Sequence, residues 1–186
     1  MAKRSPGPVE VTVTHLEMDT APAHYPSLPT GRQVALLKAR GMPLHFYRYL
    51  QDRVGREWTW VNALRLTDAE LAARIHAPER DLRVLYLDGA PAGFFELRTE
   101  LLPRVEIAYF GMMGHVTGQG LGRWFLGAAI EAAWSYKPET VFLSTCTEDH
   151  PAALSLYQKM GFSPVAQSKE MLVPLTKAER ATLVMR

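Results

Sequence analysis

Thr117-Gly118-Gln119-Gly120-Leu121-Gly122-Arg123 carries a glycine at every second position from 118 to 122. It follows Val105 to Met112 (VEIAYFGM), which reads as a strand, and it opens a long apolar segment that reads as a helix ending before Pro138. Without Cβ atoms, the backbone of such a turn tightens and approaches a ligand closely. The first N–H groups of the helix have no partner inside it, and the helix dipole adds positive potential. The turn therefore predicts a site for an anion such as a pyrophosphate. Two familiar glycine turns are excluded. The nucleotide P-loop requires Gly-Lys-Ser/Thr, which is absent. The dinucleotide fingerprint requires a third glycine three residues after the second, where Arg123 stands. Phosphate binding of another kind remains, as does a turn whose glycines only ease the packing of helix on strand.

Upstream, Val9 to Met18 (VEVTVTHLEM) alternates with period two and is predicted as a strand. Thr20 to Thr30 holds Pro22, Pro26 and Pro29 and is expected to be irregular. Gly31 to Arg40 is expected to form a helical turn or two. Pro43 to Val54 is predicted as a helix with Leu44, Tyr47, Leu50 and Val54 on one stripe. Thr67 and Glu70 have capping-box spacing and start a helix running to about His76. Leu82 to Leu87, Ala92 to Arg98 and Val105 to Met112 are three closely linked strands, the first two joined by the hairpin dipeptide Asp88-Gly89.

Downstream, Thr140 to Thr147 reads as a strand and His150 to Met160 as a helix stopped by Gly161. Val165 and Glu170 to Leu175 are expected as closing strands. Residues 1–8 read as a flexible leader and 9–186 as one domain. The order implies an α/β fold with a mixed sheet: an antiparallel meander followed by a β–α–β crossover.

The glycine turn resembles the coenzyme A signature of the GNAT superfamily of N-acetyltransferases, Gln/Arg-x-x-Gly-x-Gly/Ala, at Thr117, Gly120 and Gly122. Thr117 stands where Gln or Arg is usual. A second stretch, His150-Pro-Ala-Ala153-Leu-Ser-Leu156-Tyr157-Gln-Lys-Met-Gly161-Phe162, resembles the superfamily's Asn-x-x-Ala-x-x-Leu-Tyr-x-x-x-Gly-Phe, with His150 in place of Asn. The resemblance covers Val105 to Phe162. It implies the acyl-CoA N-acyltransferase fold, acetyl-CoA as co-substrate, no metal, and a small-molecule or peptide amine as acceptor. Many members are homodimers.

The resemblance also implies a set of binding residues. Phe110, Gly111 and Met112 would offer amides to an oxyanion, with a bulge at Gly111. Thr117, Gly118, Gln119, Gly120, Leu121, Gly122 and Arg123 would hold the diphosphate, with Gln119 or Arg123 supplying the polar contact that Thr117 lacks. His150 and Ala153 would meet the pantetheine arm. Lys137 and Lys159 are candidates for the 3′-phosphate.

Acyl transfer from a thioester to an amine needs a neutral amine, a donor for the oxyanion and a proton for the departing thiolate. Glu106 is the candidate base, placed by strand alternation on one face with Ala108, Phe110 and Met112. Glu96 is held in reserve. Tyr157 is the candidate acid, since it shares a helical stripe with Ala153, Leu156 and Met160. Phe46, Tyr47, Tyr49, Trp58 and Trp60 crowd the region that often walls the acceptor site in this superfamily, with Asp52 or Glu57 to attract a cation. A non-catalytic acyl-CoA sensor is the alternative of another class.

Composition excludes other functions. A formal charge of +2 is too small for a nucleic-acid binder. One cysteine, Cys146, cannot form an internal disulfide and suits a reducing, cytoplasmic setting. It reads as a small core residue rather than a nucleophile paired with His150. The histidines lack metal-site spacing, and no apolar run approaches a membrane span.

Overall fold

The computed structural model describes residues 7–29 and 31–186. Most of the predicted leader (residues 1–6) and Thr30 lie outside that range. Seven strands form one sheet in the order β2-β3-β4-β5-β6-β1-β7. The strands are β1 (Val9–Met18), β2 (Val34–Lys38), β3 (Arg80–Leu87), β4 (Ala90–Arg98), β5 (Arg104–Met112), β6 (Thr140–Cys146) and β7 (Ser163–Leu172). The helices are α1 (Leu44–Gly55), α2 (Asn62–Arg65), α3 (Asp68–Ile75), α4 (Leu121–Trp134), α5 (Ala153–Lys159) and α6 (Lys177–Val184).

The meander and the crossover are as expected. β3, β4 and β5 pair antiparallel, and β5 pairs parallel with β6 through α4. Asp88 and Gly89 both hold positive φ, 50° and 85°, as the primed hairpin turn between β3 and β4 requires. At Thr67 the capping box forms in full.

Two expectations are corrected. Gly31 to Arg40 is not helical; its centre is β2, which pairs with β3 from Val34↔Leu87 to Lys38↔Arg83. Five residues gain more from the open hydrogen-bonding edge of β3 than from an isolated helical turn. The two closing strands are one, β7, because Pro164 sits on an edge strand beside a bulge at Val165 of β7, where its missing N–H breaks no ladder. Helix α6 was not anticipated, although Thr176 and Glu179 repeat the capping-box spacing and form it.

Helices cover both faces of the sheet. On one side α4 and α5 bury Leu121, Phe125, Ile130, Tyr157 and Met160 against Leu97, Val105, Ile107 and Leu143. On the other, α1 and α3 bury Tyr47, Leu50, Leu71 and Ile75 against Leu82, Val84 and Phe94. Strand β1 enters between β6 and β7, so the beginning of the described chain lies inside the sheet beside its last strand.

Candidate active site

β5 and β6 are in register only at Arg104↔Thr140, Val105↔Val141 and Glu106↔Phe142. Beyond Glu106 the two strands separate. The gap opens into a cavity of about 440 Å³ lined by both strands, the α1–α2 loop, α5 and the inner residues of β1 and β7. The strands are therefore parted along Phe110 to Met112, the stretch from which the resemblance draws its oxyanion amides. The predicted bulge is displaced: Gly111 pairs in register with Phe94, and the extra residue is Ala108, between Glu96↔Tyr109 and Leu97↔Ile107.

This bulge changes which side chains share a face. Val105, Ile107, Phe110 and Met112 pack toward α4, whereas Tyr109 packs toward α1. Glu106 accordingly lies on the face of Tyr109, not with Phe110 and Met112. It stands on the last rung before the gap, beside Arg98 (Nη1 to Oε2, 2.9 Å). It does not line the cavity itself.

Gly111 has a steric reason to lack a side chain. A Cβ there would overlap Val54 Cγ1 and meet Trp60 Cη2 at 3.2 Å. The N–H of Met113 donates to Ala92 O at 2.8 Å. Strand alternation then turns the Gly111 N–H toward β4 and the N–H groups of Phe110 and Met112 toward the gap. Two of the three predicted amides face the cavity.

The glycine turn lies where α4 begins. Gly118 and Gly120 have φ of 81° and 79°, which side chains resist. Gly120 caps α4 without a side-chain hydrogen bond, so the first amides of Leu121, Gly122 and Arg123 have no capping partner. Thr117 and Gly122 line the cavity. The Thr117 hydroxyl donates to Met113 O at 3.3 Å, and the Gln119 amide donates to His115 O at 2.8 Å while accepting from Arg32 at 2.7 Å. Gln119 therefore braces the turn. Arg123 and Lys159 line a second hollow of about 650 Å³ on the far side of the turn, with His24 and Trp124; Lys137 lines neither. These features fit a phosphorylated acyl carrier: free amides, two glycines in the conformation the turn needs, and two cations nearby.

Tyr157 is 9% exposed, packs edge-on against Phe110 and Phe162, and lines the cavity. Burial, with a smaller push from the Asp149 carboxylate, raises its hydroxyl well above the usual tyrosine range. It stays protonated at neutral pH. Ala153 and His150 also line the cavity. His150 is held by Nδ1, which accepts from the Ala152 N–H at 3.0 Å, and by an edge contact with Trp58.

Several sequence candidates lie elsewhere. Glu96 is fully buried and bound by Tyr47 (2.5 Å), Arg74 (2.9 Å) and Arg80 (3.2 Å), which makes it a core brace. Of the five aromatics, Trp58 and Trp60 reach the cavity; Tyr47 is buried, and Phe46 and Tyr49 stack on each other. Asp52 is buried and paired with Arg56 and Arg180. Cys146 lines the cavity, and burial with the nearby Asp149 raises its thiol, which opposes a nucleophilic role. Asp149 was missed. It stands just before the second motif, which begins at His150, and no spacing in the sequence sets it apart. Among the described residues, no His/Cys/Asp/Glu group is placed to hold a metal, and no helix is long and apolar enough to cross a membrane.

Residues 46–162, more than half of the chain, match the acetyltransferase (GNAT) family. The chain belongs to that family. No curated protein matches it. Among solved structures, a GCN5-related N-acetyltransferase from Sphaerobacter thermophilus superposes with a TM-score of 0.61 at 16% identity, over 94% of this chain and 55% of that one. A tandem GNAT protein from the clavulanic acid biosynthesis pathway gives 0.55 at 18% identity, over 93% and 56%. The ribosomal-protein-S18-alanine N-acetyltransferase from Escherichia coli gives 0.58 at 15%, over 78% and 97%. Identities this low speak for the fold alone. The chain spans roughly half to two thirds of several relatives it resembles, 64%, 56%, 60% and 52% of the first four.

Proposed function

We propose that this chain transfers an acetyl group from acetyl-CoA to a primary amine by direct attack. The observation that carries the reading is the parting of β5 and β6 after Glu106, with free amides at the gap and at the glycine turn. The turn binds the diphosphate through the amides at the start of α4. Acetyl-CoA supplies the acetyl group as a thioester. The N–H groups of Phe110 and Met112 stabilise the charge that develops on the carbonyl oxygen.

As the carbon–nitrogen bond forms and the carbon–sulfur bond breaks, Tyr157 gives its proton to the departing sulfur. Its raised proton affinity keeps that proton available but makes donation uphill, so close placement is required. Glu106 takes the proton of the attacking amine through water, since the carboxylate stands just outside the cavity. A lysine-like amine is neutral in only about one molecule in 2,500 at pH 7, a penalty of roughly 4.6 kcal/mol that a base relieves.

Two measurements test this. Acetyl-CoA is expected to raise the melting temperature more than ATP or NAD does; equal effects would remove the donor assignment. Tyr157→Phe is expected to lower thiol release about 100-fold while acetyl-CoA affinity stays nearly constant. Unchanged turnover would take the tyrosine out of the mechanism and favour a sensor.

A further inference from the structure

Beyond the gap, the charge of the cavity wall is one-sided. It holds two carboxylates, Asp149 and Glu170, and no lysine or arginine. Among the described residues, no cation pairs with either of them. The rest of that wall joins aromatic and aliphatic side chains (Trp58, Trp60, Tyr109, Val11 and Leu172) with uncharged hydroxyl and amide groups and the imidazole of His150.

Asp149 is fixed in place. Its Oδ2 accepts from Thr145 Oγ1 at 2.9 Å and from the Cys146 N–H at 2.8 Å. Among the described residues, its Oδ1 accepts only the Trp60 indole N–H, at 3.2 Å. A carboxylate oxygen takes two donors, so Oδ1 retains a lone pair. The same bond ties the indole of Trp60 to the end of β6, which sets an aromatic face beside an anionic oxygen. A positively charged amine satisfies both, since the carboxylate accepts its N–H and the ring face attracts its charge.

We propose that the acceptor is a cationic amine on an aromatic or apolar body, with no carboxylate beside the amine, and that Asp149 receives its ammonium group. The proposal deepens the acetyltransferase reading and rests on it. An α-amino acid would set its own carboxylate against Asp149 and Glu170 with no cation to offset it, and like charges brought together in this way are strongly disfavoured. A neutral isostere would leave the free lone pair of Asp149 unmatched.

Calorimetric titration tests this with three probes that share a phenylethyl body: 2-phenylethylamine, phenylalanine and 2-phenylethanol. Each is titrated into the chain with and without coenzyme A. The amine is expected to bind at least about tenfold more tightly than the zwitterion or the alcohol. Asp149→Asn, which keeps an acceptor for the Trp60 indole, is expected to remove most of that preference. Phenylalanine or phenylethanol binding as well as the amine, or an amine that does not bind, would overturn the proposal. So would a preference unchanged in Asp149→Asn. Should that variant not fold, the ranking of the three probes on the unaltered chain still decides. Coenzyme A binding is followed separately. Its absence would sink the donor reading, whereas coenzyme A binding without amine preference would sink only the acceptor class.

Discussion

Single atoms decide much of this site. Gly111 brings the β5 backbone against Val54 and Trp60, where a methyl group would have no room. Gly111→Ala is expected to destabilise the fold by about 1–3 kcal/mol and to displace Trp60, lowering turnover more than acetyl-CoA affinity. Urea denaturation and single-substrate kinetics check the two parts. Gly120 differs, because a Cβ there would meet nothing, so only its φ of 79° resists substitution. Gly120→Ala is expected to cost about 1 kcal/mol of stability and to weaken acetyl-CoA binding, read by denaturation and titration. Tight acetyl-CoA binding in that variant would argue against the turn as the diphosphate site.

At the scale of elements, the acceptor wall is held from behind. Arg180 of α6 bonds to Asp52 Oδ1 and to Trp60 O, each at 3.3 Å, and so fastens the α1–α2 loop that carries Trp58 and Trp60. Arg180→Ala is expected to reduce stability by about 2 kcal/mol, because Asp52 is buried and, among the described residues, keeps only Arg56 as its cation. Acceptor KM should rise while acetyl-CoA affinity holds, which steady-state kinetics would show. The elements also show how far the sequence could be read. The meander, the crossover and the glycine turn were legible because alternation, hairpin dipeptide and turn chemistry are local signals. Strand β2 was not, since only the free edge of β3 makes Val34 to Lys38 extended. The face of Glu106 was not legible either. Simple alternation cannot show that Ala108 is unpaired, and one bulged residue reverses every assignment before it. Asp149 escaped because its importance comes from Trp60, which lies far off in sequence and meets it only in the fold.

For the molecule as a whole, three tyrosines, Tyr47 and Tyr157 buried and Tyr109 half-buried, link stability to pH. Burial raises the hydroxyls of Tyr47, Tyr109 and Tyr157 above the usual value near 10. The folded state therefore holds these protons more tightly than the unfolded chain does. Their contribution is complete below about pH 10 and is lost as the pH climbs above it. Denaturation midpoints are expected to fall from pH 9 to pH 11, and Tyr157→Phe should shrink that fall. A midpoint that did not move would mean that the hydroxyls titrate normally.

The place of β1 has a consequence for how the chain matures. Its neighbours are β6 and β7, with Leu16 and Met18 buried against α4 and α5. During synthesis, Val9 to Met18 leaves the ribosome long before either neighbour exists. The sheet cannot close until Leu172 has emerged, so the apolar face of this strand waits unpaired while the chain from β2 to β7 is made. Until then its open edges and apolar face are exposed to mispairing.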